Sequence, residues 1–158
     1  IVAWCAGLYL ATQFFGRWEQ RQQNPNTEVT SQQGEGYIEV KLLGNVQGHF
    51  VASGRINNGP VEFLLDTGAT DVAVPLDLAR QLALPKGLPV TLSTANGRTQ
   101  GYQTRIDRLQ LGAIVLRDVR AVAAPGLDGE QVLLGMSALN KLEFTQRGGT
   151  MLLRQTTN

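Results

Sequence analysis

The chain has 158 residues, of which 42% are apolar and 17% are charged, so it suits one domain with a tail and is too apolar for a disordered chain. Its formal net charge of +1 provides no global basic field that would attract nucleic acid. With one cysteine, Cys5, and one histidine, His49, an intramolecular disulfide is excluded and a cysteine or histidine metal cluster is not expected. We therefore predict no metal, no cofactor and no nucleic-acid partner.

The first 15 residues are uncharged, and they are followed by a basic flank that contains Trp18. A helix that spans a bilayer needs about 20 apolar residues, so this segment is slightly short. We interpret residues 1–18 as the remainder of a membrane anchor, with a signal-peptide remnant or an amphipathic docking helix as alternatives. Residues 19–36 are rich in Gln, Asn, Thr and Gly, which predicts an unstructured polar linker that is open to self-cleavage.

From residue 37 the pattern becomes mainly β, and we predict a domain over residues 37–154 with a short tail at 155–158. Asn58-Gly59 between two apolar runs predicts a hairpin, and residues 74–84 are predicted as a helix. A second short helix is expected after Gly135. Short strands at regular spacing with two brief helices predict a small, mainly β barrel. A spaced set of arginines is predicted to lie on solvated strand faces: Arg105, Arg108, Arg117 and Arg120.

The stretch EFLLDTGATDVAVP, residues 62–75, places an acid at the end of an apolar run. A buried carboxylate without a partner is costly to ionise, so the position of Asp66 requires an explanation. Gly68 permits a tight turn, and Thr67 supplies a hydroxyl that can hold its neighbours. Taken alone, this tripeptide fits either a simple turn, in which the carboxylate accepts local N–H bonds, or a carboxylate that faces a cleft.

Three segments together resemble the retropepsin-like aspartic proteases, the half-sized relatives of pepsin, and in particular their membrane-anchored bacterial branch. FLLDTGAT, residues 63–70, is similar to the active-site loop of that family. VLLG, residues 132–135, is similar to the element beneath this loop, and STANGRTQG, residues 93–101, is similar to the flap. The chain departs from the retroviral pattern at Thr70, where an acid is usual, because its acid comes one residue later at Asp71.

The resemblance implies a retropepsin-like barrel, active as a symmetric dimer, in which Asp66, Thr67 and Gly68 form the catalytic triplet. It also implies that the loop, the flap and the strand beneath them contact the substrate. The predicted substrate-binding residues are Ala69, Thr70, Asp71, Ala95, Asn96, Gly97 and Leu134. Apolar side-chain pockets are expected to use Val72, Val74 and Leu134.

Peptide hydrolysis in aspartic proteases uses two carboxylates that share a proton, because two close like charges cannot both ionise. The sequence contains no second Asp-Ser/Thr-Gly, so we predict a homodimer with one Asp66 from each subunit on the two-fold axis. The terminal segments YIEVKL and TMLLR are expected, from the resemblance, to help form the dimer interface. The substrate is expected to be a peptide that binds in an extended conformation under the flap.

The function predicted from the sequence is therefore that of a membrane-tethered homodimeric aspartic endopeptidase. Two alternatives stay open: a proteolytically silent peptide-binding or scaffold module of the same fold, and a structural envelope protein that only pairs subunits. The resemblance favours a single-pass protein of the bacterial inner membrane with its C-terminal domain in the periplasm.

Overall fold

The computed structural model describes residues 2–94, 97–127 and 130–157, and within these ranges the chain is mainly β. The helices are α1 (Val2–Gln23), α2 (Leu76–Gln81) and α3 (Met136–Leu139). The strands are β1 (Thr30–Gly34), β2 (Tyr37–Leu43), β3 (Val51–Ile56), β4 (Gly59–Leu65), β5 (Val72–Pro75), β6 (Pro89–Thr94), β7 (Gly97–Leu111), β8 (Ile114–Ala124), β9 (Gln131–Leu134), β10 (Glu143–Arg147) and β11 (Thr150–Thr156). The predicted mainly β class is confirmed.

The larger sheet has the strand order β3-β4-β9-β5-β8-β7-β6. Because β3 also pairs with β7, six of these strands are joined in a ring of backbone pairings around an apolar core. Phe63, Ile106 and Leu134 are fully buried or nearly so in this core. β4 and β9 run parallel side by side, which brings the end of the apolar run before Asp66 next to the VLLG segment.

The hairpin predicted at Asn58-Gly59 joins β3 and β4. Asn57 and Asn58 both have positive φ angles, 48° and 72°. Asparagine tolerates this left-handed conformation better than most residues, and two-residue hairpin loops of this type require it. The turn therefore sets the register that leads β4 toward Asp66.

The helix predicted at residues 74–84 is shorter than expected, because α2 covers only Leu76–Gln81. Pro75 stays extended, with ψ at 138°, and is the last residue of β5. At the other end, Ala83 adopts a positive φ of 53°, so the helix ends before Pro85 is reached. The helix therefore begins where the pairing of β5 ends, and it ends where Ala83 takes its left-handed conformation. The two prolines alone do not set these bounds.

The smaller sheet has the order β1-β2-β11-β10, so the two predicted interface segments pair with each other inside one chain. The side chain of Arg154 joins these strands, because its Nη2 lies 2.8 Å from Glu39 Oε2 and its guanidinium lies 4.2 Å from the Tyr37 ring centroid. The hydrogen bond to Glu39 raises the pKa of Arg154 above its ordinary value. Contribution of this sheet to a dimer interface stays a prediction.

The segment predicted as an unstructured linker, residues 19–36, is largely ordered, so that prediction is wrong. α1 continues to Gln23, and β1 pairs with β2 from Thr30 to Gly34. Between them, Asn24 and Asn26 are buried, with exposed fractions of 1% and 4%. Their side-chain amides bond to backbone and side-chain groups of the domain, which satisfies polar groups that burial would otherwise leave unpaired.

The side chains of α1 are exposed over almost its whole length, including the aromatic residues Trp4, Phe14 and Trp18. In the part of the chain that the structure describes, none of the helices combines the length and the apolar character needed to cross a membrane. The membrane anchor at residues 1–18 stays a prediction.

Candidate active site

Asp66 is the first residue after β4, and it opens a loop that runs to Asp71 before β5 begins. The parallel pairing of β4 with β9 places Leu65 opposite Leu134. The backbone N–H of Asp66 continues this pairing and donates to the carbonyl oxygen of Leu134 at 3.1 Å. The sheet therefore fixes the point at which the carboxylate leaves the strand.

A tight turn within the loop holds the Asp66 carboxylate. The backbone N–H of Gly68 donates to Asp66 Oδ1 at 2.9 Å, and the N–H of Ala69 donates to the Asp66 carbonyl oxygen at 3.2 Å. A Cβ on Gly68 would lie 3.2 Å from Asp66 Oδ1, which is a close approach that glycine avoids. Asp66 is only partly buried in the single chain, so its carboxylate remains accessible to a ligand or a second subunit.

The junction between β9 and α3 lies directly beneath the loop, as the resemblance implied for VLLG. A Cβ on Gly135 would clash with the carbonyl oxygen of Asp71 and would lie 2.8 Å from that of Ala69. The next residue, Met136, donates its N–H to the Ala69 carbonyl at 2.8 Å. Glycine at position 135 is thus what allows the two backbones to touch, and the loop rests on this junction.

Two residues near the loop were missed by the sequence reasoning. Ser137 donates its N–H to the carbonyl of Thr70 at 2.9 Å, and its hydroxyl accepts the N–H of Val72 at 2.9 Å. Arg120 Nε lies 2.7 Å from Asp71 Oδ1 in an ion pair. Arg120 is exposed on β8, as predicted, and its guanidinium also reaches the end of the loop, a contact that was not predicted.

The structure also corrects the predicted apolar pockets. Val72 and Val74 have no exposed surface and Leu134 is 1% exposed, so all three side chains belong to the core of the single chain. A side chain enclosed in this way cannot line a substrate pocket without rearrangement. Leu134 acts on the site through its carbonyl oxygen instead, which accepts the Asp66 N–H.

Among the remaining predicted substrate contacts, Ala69, Thr70 and Asp71 lie on the loop. Thr67 and Thr70 are exposed, whereas the Asp71 carboxylate forms an ion pair with Arg120. Ala95 and Asn96 lie outside the described residues. Gly97, at the start of β7, has a φ of 109°, a conformation that residues with a side chain rarely adopt. The role of the β6–β7 hairpin as a flap stays a prediction.

The described residues around the loop include no group of side chains suited to bind a metal ion. Among residues 2–94, 97–127 and 130–157, no group of three or more histidines, cysteines and acids is arranged to hold an ion. The loop itself offers the positioned carboxylate of Asp66 beside the exposed hydroxyl of Thr67. One carboxylate can act as a general base on water, but a second acid is needed to protonate the carbonyl oxygen of a substrate.

Comparisons with known proteins match the chain to a family model and to curated relatives. The family model described as "gag-polyprotein putative aspartyl protease" matches residues 52–141, which is more than half of the chain. An uncharacterized protein encoded in the cobV 5' region of Sinorhizobium sp is 36% identical over 115 residues, covering 71% of this chain and 49% of the relative. An uncharacterized protein of Rickettsia prowazekii (strain Madrid E) is 28% identical over 108 residues, covering 66% of this chain and 46% of the relative. The chain thus spans about half the length of both relatives.

A solved structure, described as a retropepsin-like aspartic protease from Rickettsia conorii, has the same fold. The match has a TM-score of 0.64 at 23% identity and covers 82% of this chain and 97% of the other. The shared region of the family model includes the Asp66 loop, the β6–β7 hairpin and the VLLG segment.

Proposed function

The chain belongs to the retropepsin-like aspartic protease family, and from that premise we propose that it is an aspartic endopeptidase whose active form is a homodimer. In this proposal, the Asp66 carboxylates of two subunits share one proton and activate a water between them. One carboxylate takes a proton from the water as it attacks the peptide carbonyl, and the other donates a proton to the carbonyl oxygen. The protonated carboxyl then gives its proton to the amide nitrogen as the C–N bond breaks. The other carboxylate takes the proton from one hydroxyl of the tetrahedral intermediate, so the pair again holds one shared proton.

The observation that supports this proposal most strongly is the way Asp66 is held. Its carboxylate accepts a hydrogen bond from Gly68, its N–H is fixed to Leu134, and it is still partly exposed. The sequence supplies this Asp-Thr-Gly once, so a second copy of the chain is the simplest source of the other acid. A binding module would have no need of an accessible carboxylate at this point.

Attachment to a membrane is part of the proposal, with α1 as the element that binds the lipid surface. The exposed side chains of Trp4, Leu8, Phe14 and Phe15 support it, because such a set of apolar groups is rarely left in water. Two subunits held on one membrane would meet at a raised local concentration, which favours pairing. We also propose the bacterial inner membrane, with the C-terminal domain in the periplasm. Cleavage by an external protease in spheroplasts, but not in intact cells, tests this location.

The proposed activity is tested with the full chain in a mild detergent, incubated with a diverse peptide pool from about pH 4 to 7, the range expected of a shared-proton pair. The test variant is Asp66→Asn, and the matched control is Asp77→Asn, which makes the same chemical change in a side chain of α2 that is 92% exposed. Mass spectrometry identifies the products, and sedimentation measures the dimer fraction.

Cleavage by the wild type and by Asp77→Asn, but not by Asp66→Asn, is the expected result. Equal cleavage by all three proteins would contradict the role of Asp66 and would point to a contaminating protease. Absence of cleavage by a confirmed wild-type dimer would favour the alternative, a silent peptide-binding or scaffold module, and binding of uncut peptides would then be measured.

A further inference from the structure

The hydroxyl of Ser137 connects the end of the Asp66 loop to a neighbouring strand. It accepts the N–H of Val72 at 2.9 Å and donates to the carbonyl oxygen of Arg120 at 2.7 Å. Val72 has no exposed surface and is the first residue of β5, directly after the loop. Removing the hydroxyl therefore leaves a buried backbone donor without its partner, and a buried unpaired donor is unfavourable.

The same short segment holds both ends of the loop. At the start, the Leu134 carbonyl accepts the N–H of Asp66. At the far end, Ser137 bonds to Thr70 through its backbone and to Val72 through its side chain. Both ends of the loop are thus hydrogen-bonded to one segment, residues 134–137.

We propose that Ser137 is a positioning residue for the Asp66 carboxylate, an inference that rests on the proposed function. Its hydroxyl fixes where the loop rejoins β5, and this sets the distance at which the two Asp66 carboxylates of a dimer meet. Two carboxylates share a proton only at short range, and a small displacement of reacting groups lowers the rate strongly. Ser137 acts through the loop and does not itself contact the reacting atoms.

The test compares Ser137→Ala with Ser137→Thr, which keeps the hydroxyl, in the full chain. The matched control is Ser31→Ala, because the Ser31 hydroxyl also accepts a backbone N–H at 2.9 Å, from Ala113, in a region remote from the loop. We expect Ser137→Ala to lower kcat about tenfold with KM changed less than about twofold, since positioning affects the reaction more than substrate binding. The threonine variant should recover most of the rate, and the control should match the wild type.

The pH profile of kcat separates positioning from a general loss of structure. A changed distance between the carboxylates alters their coupling, so the acid and base limbs of the profile should shift in Ser137→Ala and stay in place in Ser31→Ala. Thermal unfolding and sedimentation establish that the compared proteins are folded to the same extent and equally dimeric. If Ser137→Ala does not fold, Ser137→Cys replaces it, because a thiol is a weaker hydrogen-bonding group of similar shape.

The possible failures are distinguishable. A wild type that cleaves and a Ser137→Ala that matches Ser31→Ala in kcat and pH profile would overturn the role of Ser137 and leave the proposed function intact. A wild type and control that cleave nothing would overturn the proposed function and this inference with it. A lower kcat with an unshifted pH profile and no recovery in Ser137→Thr would also overturn it, as a merely structural effect.

Discussion

Replacing Asn26 with alanine tests whether the segment before β1 is part of the folded domain. Asn26 is 4% exposed, and its Nδ2 donates to the carbonyl oxygens of Leu43 and Val51 at 2.7 and 2.9 Å. Its Oδ1 accepts the N–H of Leu43 at 2.9 Å. A buried polar group left unpaired costs about 1–3 kcal/mol. One of these three hydrogen bonds is buried and two are partly buried, so we expect Asn26→Ala to lower the free energy of unfolding by about 3 kcal/mol.

A loss of this size lowers the Tm of this 158-residue chain by about 6–12 °C, which calorimetry measures directly. The matched control is Asn45→Ala. The Asn45 side chain also makes three hydrogen bonds, with Gln23, Gln47 and His49, but all three are exposed. Water replaces these bonds, so the control should lose less than about 1 kcal/mol. Equal shifts in Tm for the two variants would refute the reasoning that burial of the Asn26 amide orders this segment.

Three further predictions concern the loop, the smaller sheet and assembly. Gly135→Ala should lower the rate of peptide cleavage about 100-fold, because the added Cβ would clash with the Asp71 carbonyl oxygen and displace the loop. A rate within threefold of the wild type would contradict the claim that the loop needs glycine at this position. Arg154→Met should lower Tm by the same amount from about pH 6 to 9. The pKa of Arg154 is raised in the folded chain, so its stabilising charge is fully present throughout this range and would be lost only at far higher pH. A Tm difference that varies across this range would exclude that ion pair as the cause. Cleavage per milligram should rise with protein concentration in parallel with the dimer fraction from sedimentation, and a constant value while that fraction changes would contradict a dimeric active form.

The loop and its supporting segment are predictable from the sequence because their signals are local. An apolar run that ends in Asp66-Thr67-Gly68, and a second run that ends at Gly135, each mark a strand that leads into a turn. The asparagine turn between β3 and β4 is local as well, since its two positive φ angles suit these residues. Such features need no knowledge of which distant residues meet.

The parts that could not be predicted depend on contacts between distant residues. Ser137 and Val72 are 65 positions apart, and Arg120 and Asp71 are 49 apart, so nothing in either local sequence indicates the contact. Asn26 illustrates a second reason, because a polar residue in a polar stretch has the composition of a linker. Only the fold shows that its amide is enclosed and bonded, and composition cannot separate a buried amide from a solvated one.

Subunit mixing tests the central claim, that one active site uses an Asp66 from each of two chains. Wild type and Asp66→Asn are unfolded together in equal amounts and refolded, so that their subunits pair at random. Peptide cleavage by this mixture is compared with cleavage by a control mixture, in which wild type is refolded with an equal amount of Asp77→Asn. Random pairing makes about one quarter of all dimers in the Asp66→Asn mixture pure wild type, and only these carry two Asp66 carboxylates. If both carboxylates are required, cleavage by this mixture should be about a quarter of that by the Asp77→Asn mixture. Cleavage at about one half of that mixture, in proportion to the number of intact Asp66 chains, would contradict the shared site.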